Sequence, residues 1–396
     1  MQKSLSTLVA ASALIITVPV LGKVIYGKDN RVEVYEATKS QQLNARSAAT
    51  MIPKKSISSV SRKGLVKIEQ TSLKQSLEKN LNTNGGFLSR ILSKKEKVTF
   101  CKDERFVEQP SPGICSGFLI APDLIMTAGH CMDAESMCKG YSWVFDFKVD
   151  ENSKRAGVDV PAENVYSCKK IISSSLMNPL SVDFGIIQLD RKVTGRLPLK
   201  VRRDGKVQVN EPLYVVGSPS GLPLKIADGA KVRASEHPLY FTANLDTFQG
   251  NSGSAVFNDI SGEVEGILVQ GDDDFKKNRV LNCIESNRCS DEGCRGERVY
   301  RISGVPEIMI FDTIQDAISR GDIETVKEAL ATNVWIDFNL NDGETALIKA
   351  AKVQELEIVK LLINSGADKN HIDRSGKKAI DYVLEASNSS LISILK

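Results

Sequence analysis

Histidine is scarce in this chain: there are three in 396 residues, His130, His237 and His371. Chemistry that needs a side chain able to take and return a proton near neutral pH is therefore confined to three places. Aromatic residues make up 6% of the sequence and the net charge is +3. That balance excludes the strongly basic surface by which a dedicated nucleic-acid binder gathers its ligand. Long apolar runs are also missing, apart from Leu8 to Leu21. At about 14 residues that run falls short of the roughly 20 needed to span a bilayer. Cysteine is absent before Cys101 and after Cys294, so all eight lie in the middle of the chain.

What is present starts with that apolar run. It follows Lys3 and ends at Gly22-Lys23, with Val20 and Gly22 at the positions where a signal peptidase needs small residues. Residues 1–22 are expected to be a signal peptide, with an uncleaved membrane anchor as the alternative. An exported chain with an even cysteine count confined to one region reads as a disulfide framework. Cys138 with Cys168 is one trial pair. The competing reading is a metal site built from Cys283, Cys289, Cys294 and Cys101. No C-x-x-C pair and no histidine lies near to support it.

Residues 23–98 carry 16 Lys/Arg against 6 Asp/Glu, whereas residues 99–396 carry 35 against 43. This first stretch is polar and Ser/Lys-rich, and it is expected to be a basic N-terminal extension or propeptide. From 99 to 305 about ten short apolar or alternating runs are separated by turn residues, including GFLI, WVFDF, FGIIQL, LYVVG and EGILV. That pattern predicts an all-β domain. After Pro306 the apolar period changes to that of amphipathic helices. Glu324, Val326 and Lys327 recur as Glu357, Val359 and Lys360, and Gly343 recurs as Gly376. A repeat of this length, with Asp342-Gly-Glu-Thr-Ala-Leu followed by Glu357-Ile-Val-Lys-Leu-Leu, resembles ankyrin repeats. Residues 306–396 are expected to form an all-α array of about three.

Nucleophilic catalysis by serine needs a base, a carboxylate that orients the base, and two backbone N–H groups facing the developing oxyanion. His237 and His371 fall in connections, where a loop role is ordinary. His130 follows an apolar strand in Met-Thr-Ala-Gly-His-Cys. Asp183 opens the strand Asp-Phe-Gly-Ile-Ile-Gln-Leu, the place for an acid held behind a histidine. Ser252 lies in Gly250-Asn-Ser-Gly-Ser254, where glycine permits the tight turn that aims the Gly250 and Ser252 amides into one hole. Each residue has a bland alternative: a turn serine, a surface acid, a core histidine.

Together, Cys115-Ser-Gly-Phe-Leu-Ile, Thr127-Ala-Gly-His-Cys131, Asp183-Phe-Gly-Ile-Ile-Gln-Leu and Gly250-Asn-Ser-Gly-Ser254 resemble the four signature blocks of the trypsin/chymotrypsin superfamily, in its bacterial V8-like and trypsin-like branch. They occur in the order His, Asp, Ser. The resemblance implies a chymotrypsin-like double β-barrel and a triad of His130, Asp183 and Ser252. It also implies an oxyanion hole at Gly250 and Ser252 and a disulfide from Cys115 to Cys131. Two departures stand out. Asn251 occupies the position where trypsin-like zymogens carry the acid that receives a new N-terminal ammonium. Phe248 replaces the cysteine beside the specificity pocket.

Asp246 stands where trypsin-like enzymes place a pocket-floor acid, so Asp246, Gln249 and Gly271 are the candidate pocket residues. A basic P1 side chain, a Glu preference and a broad preference all stay open. Asp272-Asp-Asp274 reads as a solvated loop, with calcium as the alternative. No metal or organic cofactor is expected. The expected partners are protein or peptide substrates and a protein bound by the repeats, without nucleic acid and without membrane contact after signal cleavage. The whole reads as a secreted or periplasmic serine endopeptidase, with a catalytically inactive protease-fold binding protein as the rival.

Overall fold

A computed structural model describes residues 23–82, 99–152, 159–177, 182–332 and 335–396. The expected signal peptide lies outside the described residues. Among those that are described, no helix is long and apolar enough to cross a membrane.

Four strands come from the basic N-terminal stretch: β1 (Ile25–Tyr26), β2 (Arg31–Glu33), β3 (Ala48–Pro53) and β4 (Leu65–Lys67). Six more follow: β5 (Cys115–Ala121), β6 (Leu124–Thr127), β7 (Tyr141–Phe145), β8 (Asp159–Pro161), β9 (Val165–Met177) and β10 (Val182–Leu189). Of these, β10, β6, β5, β3, β7 and β9 close the first barrel, while β4 and β8 pair outside it. The second half adds β11 (Pro212–Gly217), β12 (Lys225–Ala234), β13 (Tyr240–Ala243), β14 (Ala255–Asn258) and β15 (Val264–Gln270). It ends with β16 (Phe275–Asn278), β17 (Cys283–Ser286), β18 (Arg288–Cys289) and β19 (Glu297–Arg301). The order β11, β14, β15, β19, β13, β12 returns to β11 and closes a second six-stranded barrel. Strand β2 pairs with β12 outside that ring.

The boundary expected at residue 98 is overturned by this topology. β3 is hydrogen-bonded to β5 on one side and β7 on the other, so the first barrel cannot close without it. The sequence signal is weak because the first five residues of β3 are all buried. A strand buried on both faces shows no alternation, and this one is embedded in a Lys/Ser-rich context. Strands of the N-terminal stretch are therefore part of the barrel unit and not an extension ahead of it.

All eight cysteines pair: Cys115–Cys131, Cys138–Cys168, Cys101–Cys283 and Cys289–Cys294. The first two match the expected pairs. The last two use the four sulfurs of the rival metal reading as covalent bridges.

The ankyrin helices Ile323–Leu330, Leu356–Asn364 and Ser389–Leu395 begin 33 positions apart. Their partners are Pro306–Arg320, Ala346–Lys352 and Ala379–Glu385. Three of these helices are capped by side chains: Asp322 accepts from the Thr325 amide, Thr345 from Ile348 and Asn388 from Leu391. Each cap satisfies an amide left open at a helix start. The array does not hang free. Val305, Ile308, Phe311, Phe338 and Leu340 belong to a hydrophobic cluster shared with residues of both barrels. The Asn341 amide donates to the Ile120 carbonyl at 2.8 Å, and Arg203 Nε donates to Asp312 Oδ2 at 2.8 Å.

Candidate active site

His130 sits in a single 3-10 turn, Gly129–Cys131, just beyond β6. Its disulfide ties that turn back to the first residue of β5. Asp183 is the second residue of β10, where the Cα register places it across from Leu176 of β9. Its Oδ2 lies 2.8 Å from His130 Nδ1, and its Oδ1 accepts from the His130 backbone amide at 3.1 Å. The carboxylate thus holds both the ring and the main chain of the histidine. Such a bond on Nδ1 keeps its proton there and leaves Nε2 as the acceptor.

Ser252 reaches this pair from the other barrel. Its carbonyl accepts from the Ser116 amide at 2.8 Å and lies 3.8 Å from the Cys131 sulfur. The loop around it has no room for side chains at two points. Gly250 has φ +96°, and a Cβ there would fall 2.6 Å from the Ser218 carbonyl oxygen. Gly253 has φ +87°, and a Cβ there would fall 2.1 Å from the Ser116 carbonyl oxygen.

Two peptide groups of this loop are fixed by their carbonyls. Gln249 O accepts from the Ser220 amide at 2.5 Å, and Asn251 O accepts from the Ser254 amide at 2.9 Å. In a trans peptide the next N–H points the opposite way. The Gly250 and Ser252 amides are therefore oriented by bonds made elsewhere. Among the described residues, neither takes part in a hydrogen bond. Asn251 helps to hold the turn, since its Oδ1 accepts from Ser254 Oγ at 3.2 Å.

The candidate pocket residues divide. Asp246 is not a pocket floor: its two oxygens accept from the Tyr26 and Asn30 amides, each at 2.7 Å. This acid pins the N-terminal segment, which the sequence reading set outside the domain. Gln249 and Gly271 border other acids. The Gln249 amide donates to Asp274 Oδ2 at 2.8 Å, and a Cβ on Gly271 would meet the Glu297 carboxylate at 2.2 Å. Phe248 stacks on Phe275 at 4.9 Å, with the Arg31 guanidinium 4.3 Å from its ring centre. The wall that a disulfide would have made is a cation and two rings.

Sequence reasoning missed Lys23, Asp274 and Glu297 as neighbours. Lys23 Nζ donates to Ser252 Oγ at 3.1 Å. The Lys23 amide donates to Asp274 Oδ1 at 2.7 Å, and the Val24 amide to Glu297 Oε1 at 3.2 Å. Burial pulls the Lys23 ammonium below the usual lysine range, with Glu297, Asp274 and Asp183 opposing. Burial pushes Asp274 up to about 7 and Glu297 well above its ordinary value, Lys23 opposing in both. Glu297 opens β19, Glu-Arg-Val-Tyr-Arg, where two arginines make an acid unremarkable in sequence, so no local signal set it apart. The acidic run 272–274 does not form one cluster: Asp272 accepts from Arg295, and Asp274 faces inward.

Burial also pushes Asp246 up to about 7, opposed by the two amides it accepts from. A carboxyl whose folded pKa is raised contributes stability at low pH that is lost as pH rises through the folded value. The window here runs from about 4 to 7. Asp246→Asn, which cannot ionise, is therefore expected to flatten that fall. Between pH 4 and pH 7 the wild type should lose on the order of 3 kcal/mol more stability than the variant. Urea denaturation midpoints of the two proteins across the range check this; parallel curves would count against it.

Comparisons with known proteins agree with this architecture. Residues 115–267 match the trypsin-like peptidase domain family, and residues 314–396 match ankyrin repeats in three copies. Two mammalian proteins, both "Ankyrin repeat, SAM and basic leucine zipper domain-containing protein 1", align with short parts of the chain. That of Eulemur macaco macaco is 28% identical over 113 residues, 27% of this chain and 21% of the relative. That of Carollia perspicillata is 36% identical over 59 residues, 15% of this chain and 12% of the relative. The chain thus spans a small part of either relative's length. Among solved structures, the Vibrio cholerae VesB protease aligns at 12% identity and TM-score 0.39, over 72% of this chain and 68% of that one. A Glu endopeptidase aligns at 14% identity and TM-score 0.37, over 78% of this chain and 100% of that one.

Proposed function

The chain carries a trypsin-like peptidase domain followed by ankyrin repeats, and from this we propose that it is an exported serine endopeptidase. His130 Nε2 takes the proton as Ser252 Oγ attacks the scissile carbonyl. Asp183 holds the imidazole and stabilises its charged form. The Gly250 and Ser252 amides receive the oxyanion, the C–N bond breaks as His130 returns its proton to the leaving amine, and water then hydrolyses the acyl-enzyme with His130 again taking and returning a proton. The observation that carries the reading is the pair of oriented, uncommitted amides beside a serine that shares its neighbourhood with the His130–Asp183 pair. A turn serine in an ordinary loop has no use for them. Four disulfides favour an oxidising compartment, secreted or periplasmic. The repeats present a protein-binding surface fixed to the first barrel.

Overnight exposure of the chain freed of residues 1–22 to a fluorophosphonate is expected to leave a covalent adduct on Ser252, located by peptide mapping. A folded chain with no adduct there would favour a protease fold used only for binding.

A further inference from the structure

Strands β16 and β17 form a two-stranded hairpin apart from both barrels. Its base is fixed at several points. The Cys101–Cys283 disulfide ties β17 to the segment ahead of β5, and Ser286 donates its amide and hydroxyl to Glu104 at 2.8 and 2.6 Å. Phe275 meets the rings of Phe100 and Phe248 at 5.2 and 4.9 Å. The tip is of another kind. Val280 is 94% exposed and its neighbour Leu281 68%. Asn278 Oδ1 accepts from the Val280 amide at 3.1 Å and from the Leu281 amide at 2.9 Å, and Asn282 turns the chain back at φ +49°. Aliphatic residues scattered singly on a surface need no explanation, but an adjacent pair on a shaped tip does.

Charge identifies the occupant. From 275 to 288 the chain carries Lys276, Lys277, Arg279 and Arg288 against a single acid, Glu285. Successive strand residues face opposite sides, so Lys276 and Lys277 flank the tip on both faces. Aliphatic side chains thus stand outermost, with cations one to four residues behind them. That is the depth order of a bilayer interface, where acyl chains receive the apolar end and anionic headgroups meet the cations. A protein partner would need a concavity for a convex tip, and cations on both faces would lie at its margins. A fluid lipid surface takes both.

We propose that the 275–288 hairpin docks the protein on an anionic lipid surface, with Val280 and Leu281 entering the boundary between headgroups and acyl chains. This departs from the expectation of no membrane contact, and it does not depend on Ser252 being a nucleophile. Asp274, which borders the candidate site, is six residues from Val280, at most about 20 Å of extended chain. Docking therefore holds that site close to the lipid.

Co-sedimentation of the chain freed of residues 1–22 tests this, with vesicles of phosphatidylcholine alone and of phosphatidylcholine mixed equally with phosphatidylglycerol. The wild type is expected to pellet with the mixed vesicles and to be released by salt. Val280→Asp with Leu281→Asp should lower its partition coefficient at least about tenfold. Lys276, Lys277 and Arg279 all changed to Gln should lower it on the mixed vesicles at least about tenfold as well. Both sets of changes lie at the tip or on the hairpin strand leading to it, and thermal melts establish that the variants fold. Equal binding to the two vesicle types would overturn the anionic surface, and undiminished binding of the aspartate variant would overturn the tip. No vesicle binding by the wild type would overturn the proposal outright. If the aspartate variant then cleaved a protein substrate slowly and a short peptide normally, the hairpin would be a protein-docking surface instead. Fluorophosphonate labelling of Ser252 reads the enzyme assignment separately, so the two fail independently.

Discussion

Alanine in place of Ser252 is expected to lower kcat for peptide hydrolysis about a million-fold, and asparagine in place of Asp183 about 10⁴-fold. The first change removes the atom that forms the acyl-enzyme. The second acts through the histidine. Asp183 accepts at both oxygens, from the His130 main-chain amide and from the ring Nδ1. An asparagine can keep one of these as an acceptor and must present its NH₂ to the other. If the NH₂ faces Nδ1, the ring proton moves to Nε2, and the base can no longer accept from serine. Removing His130 as well as Ser252 should cost little more than removing Ser252 alone, because the residues act as a unit. The measurement is kcat on a peptide substrate for chains freed of residues 1–22, with circular dichroism to show that each variant folds. An Asp183→Asn enzyme within tenfold of wild type would refute the assigned role.

A chain begun at Phe100 is expected not to fold, although His130, Asp183 and Ser252 are all present in it. Its first barrel would lack β3, exposing the edges of β5 and β7. Unpaired edges leave a row of backbone donors and acceptors open to aggregation. Ala48, Ala49, Met51 and Ile52, all buried, would leave voids in two hydrophobic clusters. Lys225 would lose its carboxylate partner as well, keeping only the neutral acceptors Gln109 Oε1 and the Pro223 carbonyl. Its Nζ donates to Glu33 Oε2 at 3.0 Å, and both side chains are buried. Stranding such a charge costs about 3–5 kcal/mol. Near-UV circular dichroism and soluble yield, with the chain freed of residues 1–22 as control, check the outcome. A cooperatively melting chain from Phe100 would show that the first barrel closes without β3.

The proposed triad was legible because each member lies in a short local pattern: a histidine after a buried strand, an acid opening one, a serine between glycines. Patterns of that kind survive in one dimension because a strand or a turn specifies them. Cys115–Cys131 came from the family resemblance and Cys138–Cys168 from a trial pairing, and each joins neighbouring elements of one barrel. Cys101–Cys283 joins residues 182 apart, which no local pattern encodes. The ankyrin array announced itself by its period, but its docking on the first barrel did not. That contact depends on Phe311 and Phe338 meeting at 5.7 Å from helices and loops of different repeats.

Asp246 teaches the opposite lesson. Its distance from Ser252 in sequence suggested a pocket floor, and its side chain instead holds the amides of Tyr26 and Asn30. A position along a strand sets where a Cα lies, but not which chain arrives to satisfy the carboxylate. The sequence alone singled out the candidate nucleophile, base and orienting acid and identified the repeat, all of which rest on local periodicity and turn chemistry. Tertiary structure alone decided that β3 completes the first barrel while β2 adds an edge strand to the second, that Asp274 and Glu297 border the candidate site, and that Lys23 donates to Ser252 Oγ. Those are long-range contacts. They depend on burial and on pairing between segments some 200 residues apart, where the chain carries no local signal of its partner.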